Sequence, residues 1–281
     1  MKIMLTGGKG MLGRTLCREW HDWEVIPGDL PEMDITDPAA VDAALQHFQP
    51  DAVVHCAAMT AVDLCESQPD TAWRINAFGS ANVAAACHRH KIRLIAISTD
   101  YVFDGDSPVP YHEFDRATGG ATVYGKTKFA GEEEIRTLCP DHLIARISWL
   151  YGAGGPSFVH TMLNLADGTR PVLKVVADQI GNPTSTTAVA RKLQTLLQHP
   201  ELTGTWHLTC EGEASWFDFA REIFRLAGKN QTVEPCTTAE FPRPAPRPAN
   251  SRLEKRMLRY AGLSPMPHWK DALAEFLASE L

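Results

Sequence analysis

From residue 2 to residue 148 the sequence alternates between two patterns that do not substitute for one another. Five short, nearly continuous apolar runs are KIMLT (2–6), EVIPG (24–28), DAVVHCAA (51–58), RLIAIST (93–99) and HLIARIS (142–148). Between them lie segments at helical spacing, 11–20, 38–48, 69–89 and 124–138. A strand with one wet face alternates apolar and polar residues, whereas a strand that is apolar throughout needs cover on both faces. Helices that cross back between parallel strands supply that cover. The alternation therefore predicts an α/β fold built on a doubly wound parallel sheet. Two helix starts are marked: Pro38 follows Asp37, a residue that can cap the helix, and Pro69 opens the third helix.

After about residue 150 the rhythm loosens. GAGGPS (152–157) reads as a flexible loop, 186–198 as a helix and TWHLTC (205–210) as a strand. WFDFAREIFRLAG (216–228) is an amphipathic helix with a glycine stop, PRPAPRP (242–248) has no regular structure, and a last helix covers about 268–279. One or two of these late strands should rejoin the sheet.

Bulk properties exclude several classes of function. The net charge is −7 with no basic run, which argues against a nucleic-acid surface. No stretch is long and apolar enough to span a membrane. MKIMLTGG runs straight into a strand and leaves no room for a secretory leader. The seven cysteines (17, 56, 65, 87, 139, 210, 236) form no C-x-x-C pair and read as buried thiols of a reducing cytoplasm. Eleven histidines include no H-E-x-x-H, and His88 and His90 fall on different faces of a helix, so no metal site is expected.

Gly7, Gly10 and Gly13 fall between the first strand and the first helix. Glycines there let the backbone approach a pyrophosphate, whose charge then sits on the helix N-terminus. The expected cradle is Gly7, Gly10, Met11, Leu12 and Gly13, and the sheet becomes a dinucleotide-binding fold of the Rossmann type. Asp29, just past the second strand, stands where a carboxylate would take a ribose 2′-hydroxyl. Asp34 and Ile35 suit the adenine side, and Ala58, Met59 and Thr60 end the third strand where small side chains leave room for the middle of the cofactor. Asp29 favours NADH, with NADPH left open. On this reading residues 1–150 form the NAD(P)-binding domain, with a return segment at about 186–212. Residues 151–185 and 213–281 form a smaller C-terminal substrate-binding lobe.

Tyr124 and Lys128 lie four residues apart, hence on one helix face. A free phenol titrates near 10, and a proton donor to a carbonyl oxygen works best nearer the working pH. Lys128 and an oxidised nicotinamide are expected to pull Tyr124 down by roughly three units, worth about 4 kcal/mol. Thr99, in the Ser98-Thr99-Asp100 run that closes the fourth strand, adds a hydroxyl at the edge where open α/β sheets bind ligands. Lys126 points elsewhere and should be solvated.

Taken together these residues resemble the extended short-chain dehydrogenase/reductases, and more narrowly the dTDP-4-dehydrorhamnose reductase family, over nearly the whole chain. GGKGMLG (7–13), AAMTAVDLCE (57–66), STDYVFDG (98–105), VYGKTKFAGE (123–132), RISWLYG (146–152), DQIGNPT (178–184) and RPANSRL (247–253) carry the resemblance. It implies a catalytic set of Thr99, Tyr124 and Lys128, with NADPH or NADH as hydride donor. The substrate implied is a dTDP-4-keto-6-deoxy-L-hexose, faced by Val62, Asp100 and Trp149, with Arg252 on its pyrophosphate. The resemblance also admits a homodimer, and no residue can be assigned to the magnesium bridge of some family dimers. Two departures stand out: Met59 replaces a frequent His, and ATGGATVY before the tyrosine lacks the usual proline. A non-catalytic relative similar to the regulatory β subunit of methionine adenosyltransferase, and a nucleotide-sugar epimerase or dehydratase, are the alternatives.

Overall fold

The computed structural model describes residues 1–280. Its first half runs β1 (Lys2–Thr6), α1 (Met11–Glu19), β2 (Glu24–Gly28), α2 (Pro38–Phe48), β3 (Ala52–His55), α3 (Val62–Ser67), α4 (Pro69–Ala72), α5 (Gly79–His90), β4 (Arg93–Thr99), α6 (Val123–Leu138) and β5 (His142–Ile147). The second half adds β6 (Leu150–Tyr151), α7 (Phe158–Leu165), β7 (Val172–Val176), β8 (Ile180–Gly181), β9 (Thr184–Ser185), α8 (Thr186–Leu197), β10 (Gly204–His207) and β11 (Ala214–Ser215). It ends with α9 (Trp216–Leu226), β12 (Thr232–Cys236), β13 (Asn250–Ser251), α10 (Arg256–Tyr260) and α11 (Trp269–Glu280).

Six strands form one all-parallel sheet in the order β10-β5-β4-β3-β1-β2. Along β1, Ile3 and Leu5 enter one apolar layer and Met4 the other, which is why the run is apolar throughout. The first layer joins α1 and α8: Trp20 is fully buried and donates its indole N–H to the Ala190 carbonyl at 3.1 Å. The second packs α2, α5 and α6 over Val53, Leu94 and Ile144. Asp37 caps α2, accepting the Ala39 N–H at 2.9 Å.

Two expectations change, and a third, that one or two late strands rejoin the sheet, is met. The segment 69–89 is not one regular helix, because Trp73–Phe78 forms a wide π turn between α4 and α5. Such turns are rare and recur at functional sites. Here the turn carries Asn76, fully buried, whose amide accepts the Met59 N–H at 2.8 Å and donates to the Met59 carbonyl at 3.1 Å and to Thr127 Oγ1 at 3.0 Å. The third strand ends at His55 rather than running on to 58. A single late strand, β10, rejoins the sheet, and the other short pieces pair among themselves as β11-β8-β13, β12-β7 and β6-β9. Most of those pieces are two residues long, too short to show a periodicity.

Candidate active site

A single cavity of about 1440 Å³ opens along the C-terminal edge of the sheet, where the strand order reverses between β1 and β3. One drug-sized ligand occupies about 300–1,000 Å³, so this space suits two ligands end to end.

One end is the glycine turn. Gly7 adopts φ +68°, and a Cβ on it would lie 2.7 Å from the Ala57 nitrogen. A Cβ on Gly13 would lie 2.5 Å from the Gly7 carbonyl oxygen and 2.7 Å from Gly8 Cα. Gly10 opens α1 with no side-chain cap, and its N–H donates to the Gly7 carbonyl at 3.0 Å. The N–H groups of the first helical turn therefore have no acidic side chain to satisfy them, and Met11, Leu12 and Gly13 line the cavity. This backbone cradle fits a pyrophosphate. Arg14, whose guanidinium sits on the Lys9 carbonyl at 2.7 Å, takes no part in the lining. Asp29 accepts the Lys9 N–H at 2.7 Å and the Leu30 N–H at 2.8 Å on its two oxygens, and it lines the cavity together with Asp34 and Ile35. Bonds from the Thr36 N–H and hydroxyl to Asp34, both 2.8 Å, hold that carboxyl below its ordinary range. Ala58, Thr60 and Val62 also face the cavity, but Met59 does not: Asn76 pins its backbone, and its side chain packs beside Cys65 and Tyr124.

Thr99, Asp100, Tyr124 and Lys128 line the same cavity. Thr122 caps α6, accepting the Gly125 N–H at 2.9 Å, and so fixes the turn that presents Tyr124. The Tyr124 phenol lies toward the Thr99 hydroxyl and edge-on to Tyr101, ring centres 5.5 Å apart. Burial pushes the phenol above its usual 10 and the Thr99 hydroxyl pulls against it. Burial thus works against the lowering expected from the Tyr–Lys spacing and a nicotinamide charge, and the Lys128 ammonium donates to the Ile97 carbonyl at 2.8 Å. Burial lowers Lys128 itself to about 8, against the opposing charge of Glu132. Tyr124 is thus held in its neutral, proton-donating form. Thr99 also donates to Asp100 Oδ1 at 2.9 Å, while the buried Asp100 Oδ2 and Ser251 Oγ face one another without a well-formed bond. Desolvation raises the Asp100 carboxyl to about 6.

Trp149 and Trp216, stacked on each other, also line the cavity, as do Arg170, Lys174, Arg243 and Arg247. Arg252 lies outside the lining: its guanidinium donates to Asn250 Oδ1 at 2.8 Å, the Pro108 carbonyl at 2.8 Å and Glu213 Oε2 at 3.1 Å. Arg247, which opens the same RPANSRL segment, faces the cavity instead, paired with Asp63 at 2.8 Å. Sequence reasoning missed it, although the segment contains it.

Behind Lys128, one turn further along α6, Glu132 is buried against Arg146, accepting Nε at 2.9 Å and Nη2 at 2.7 Å. Ser98 donates to the same carboxylate at 2.5 Å. Among the described residues no cluster of His, Cys, Asp and Glu could hold a metal ion, and no helix is long and apolar enough to cross a membrane.

A glycine cradle and a Thr–Tyr–Lys set lining one cavity define an NAD(P)H-dependent oxidoreductase of the Rossmann type. The chain belongs to the RmlD substrate binding domain family, whose model it matches over residues 1–281. It is 42% identical to a dTDP-4-dehydrorhamnose reductase of Streptomyces griseus, over 97% of this chain and 91% of that one. A solved dTDP-4-dehydrorhamnose reductase of Clostridium acetobutylicum superposes with a TM-score of 0.96 at 45% identity, covering 100% of this chain and 99% of the other. The Bacillus anthracis dTDP-4-dehydrorhamnose reductase, solved in complex with NADP, gives 0.96 at 39% identity over 99% of this chain and 100% of that one.

Proposed function

We propose that this chain reduces the C4 keto group of a dTDP-4-keto-6-deoxy-L-hexose, dTDP-4-dehydrorhamnose to dTDP-L-rhamnose, as a step toward a surface-polysaccharide precursor. The observation that carries the reading is that Thr99, Tyr124 and Lys128 line one cavity together with the glycine turn. The names of the relatives supply the sugar.

NADPH or NADH, when bound, supplies the hydride for C4. Met11, Leu12 and Gly13 would take its pyrophosphate through backbone N–H groups, with Asp29 on the adenosine ribose and Asp34 and Ile35 beside the adenine. Lys128 would reach the nicotinamide ribose. Tyr124 would donate the proton to the C4 oxygen while Thr99 hydrogen-bonds that oxygen and orients it. Asp100 would accept a sugar hydroxyl, Val62 and Trp149 would wall the apolar face, and Arg247, rather than Arg252, would meet the substrate pyrophosphate. Residues 151–185 and 213–281 would then carry most of the sugar-nucleotide side. The seven free cysteines accord with a cytoplasmic setting.

The test is a coupled assay from dTDP-4-keto-6-deoxyglucose with a 3,5-epimerase, followed by product analysis. NADPH oxidation should require the ketosugar. Tyr124→Phe should cut kcat by about a hundredfold or more with cofactor affinity nearly intact. Cofactor binding without any turnover by the wild-type chain would refute the reading.

A further inference from the structure

Trp149 is held in a backbone conformation that its side chain resists. It adopts φ +47°, in the left-handed region, which is a genuine outlier for a bulky residue. Its carbonyl accepts the Thr184 N–H at 3.2 Å, and the chain on either side is tied down, Ile147 by pairing with Thr99 and Leu150 by pairing with Thr184. Its indole N–H has no acceptor among the described residues, although the ring lines the cavity.

What holds the ring is its surroundings. Trp216 lies flat on it, ring centres 3.5 Å apart and planes 9° from parallel. Gly181 leaves the space the indole needs, since a Cβ there would lie 2.5 Å from the ring. Trp216 in turn is anchored from several directions. It is the first residue of α9, directly after Ser215, which shares a capping box with Asp218. Its indole N–H donates to Gln179 Oε1 at 3.1 Å, and Gln179 donates to Thr238 Oγ1 at 2.9 Å. Phe158 packs against it, ring centres 4.6 Å apart. One indole is thus strained and free at its polar edge, and the other is fixed and pressed against it.

We propose that Trp216 is a positioning residue for the reductase reaction, holding the Trp149 indole in the orientation from which it meets the ketosugar. The inference rests on the sugar-nucleotide reading above. Trp216 acts through Trp149, so its removal acts on substrate affinity and spares the dinucleotide end of the cavity.

The experiment compares wild type, Trp216→Leu and Trp216→Phe, all loaded with NADPH. Steady-state kinetics with the ketosugar, NADPH titration and indole N–H spectra of protein labelled with 15N-tryptophan are the readouts. Trp216→Leu should raise KM about tenfold, the upper end of what one aromatic pair contributes, with NADPH affinity within about twofold of wild type. Trp216→Phe should recover most of the loss, and it keeps the test decisive if the leucine variant does not fold. The Trp149 indole resonance, single and sharp in wild type, should broaden or double in Trp216→Leu. An unchanged KM, or NADPH affinity falling in step with substrate affinity, overturns the proposal. An inactive wild type sinks the substrate reading instead. The Trp149 resonance then still decides the positioning role: a single unmoved line in Trp216→Leu overturns it.

Discussion

Replacing Glu132 by Gln probes the charge that sits behind Lys128, the lysine of the proposed catalytic set. Glu132 is 2% exposed and receives Arg146 twice, Ser98 once and Arg136 Nη2 at 2.7 Å. These partners outweigh its desolvation and take the carboxyl from 4.5 down to about 2. A shift of that size corresponds to ~3 kcal/mol of folding stability. The folded value is depressed, so this stability is fully present above pH 4.5 and is lost as the pH falls through about 2. An amide at 132 keeps the shape but removes the charge and turns a donor toward the two guanidiniums. Breaking a buried pair from one side costs about 3–5 kcal/mol. For a chain of this size that corresponds to a fall in Tm of ~10 °C at pH 7. Urea unfolding at pH 7 measures it, and Glu132→Gln combined with Arg146→Met should recover part of the loss, since no unpaired guanidinium then remains at 146. The same variant bears on activity. Glu132 is the charge that keeps burial from lowering Lys128 further, so the variant's lysine should lose its proton at a pH below about 8. The alkaline limb of kcat should move to lower pH accordingly. A stability loss under about 1 kcal/mol, the range of exposed pairs, together with an unmoved alkaline limb, would refute this reasoning.

Two further outcomes follow from the same geometry. Asp100 is raised by burial from 3.8 to about 6, so its contribution runs the other way: stability is greatest below 3.8 and declines as the pH rises through about 6. Asp100→Asn should therefore gain ~2–3 kcal/mol at pH 8 and flatten the pH dependence of urea unfolding between these values, while KM for the ketosugar rises. Arg247→Ala should raise that KM about tenfold whereas Arg252→Ala leaves it within about twofold, and steady-state kinetics on the two variants side by side will tell which arginine meets the substrate.

The parts of the site carried by regular spacing were legible in the sequence. The glycine turn sits at a strand–helix junction, Thr99 ends a strand, and Tyr124 and Lys128 share a helix face, so local geometry brings them to one edge. The parts set by distant partners were not. Arg247 and Arg252 lie in one short segment, and only Asn250, Glu213 and Pro108, gathered from three stretches of chain, turn Arg252 away. The Tyr124 shift shows the same limit: spacing puts Lys128 on the same helix face, but burial sets the phenol's direction and the Lys128 ammonium sits on the Ile97 carbonyl. Trp216 reads in the sequence as the opening residue of an amphipathic helix, and nothing local shows that it stacks on a residue 67 positions earlier. The π turn was hidden for the opposite reason, since WRINAF continues the helical pattern on both sides.

Strand β10 and helix α8 lie late in the chain, yet they complete the early half. Fully buried Trp206 lies in the sheet edge beside β5, and α8 meets α1 through Thr186 and Thr15 at 2.9 Å. Chimeras between relatives are therefore constrained. A single crossover near residue 150 would pair each sheet with a foreign outer strand and a foreign covering helix. On the proposed division of the chain, transplanting sugar preference calls for two inserts, one on either side of a host segment kept from about 186 to 212.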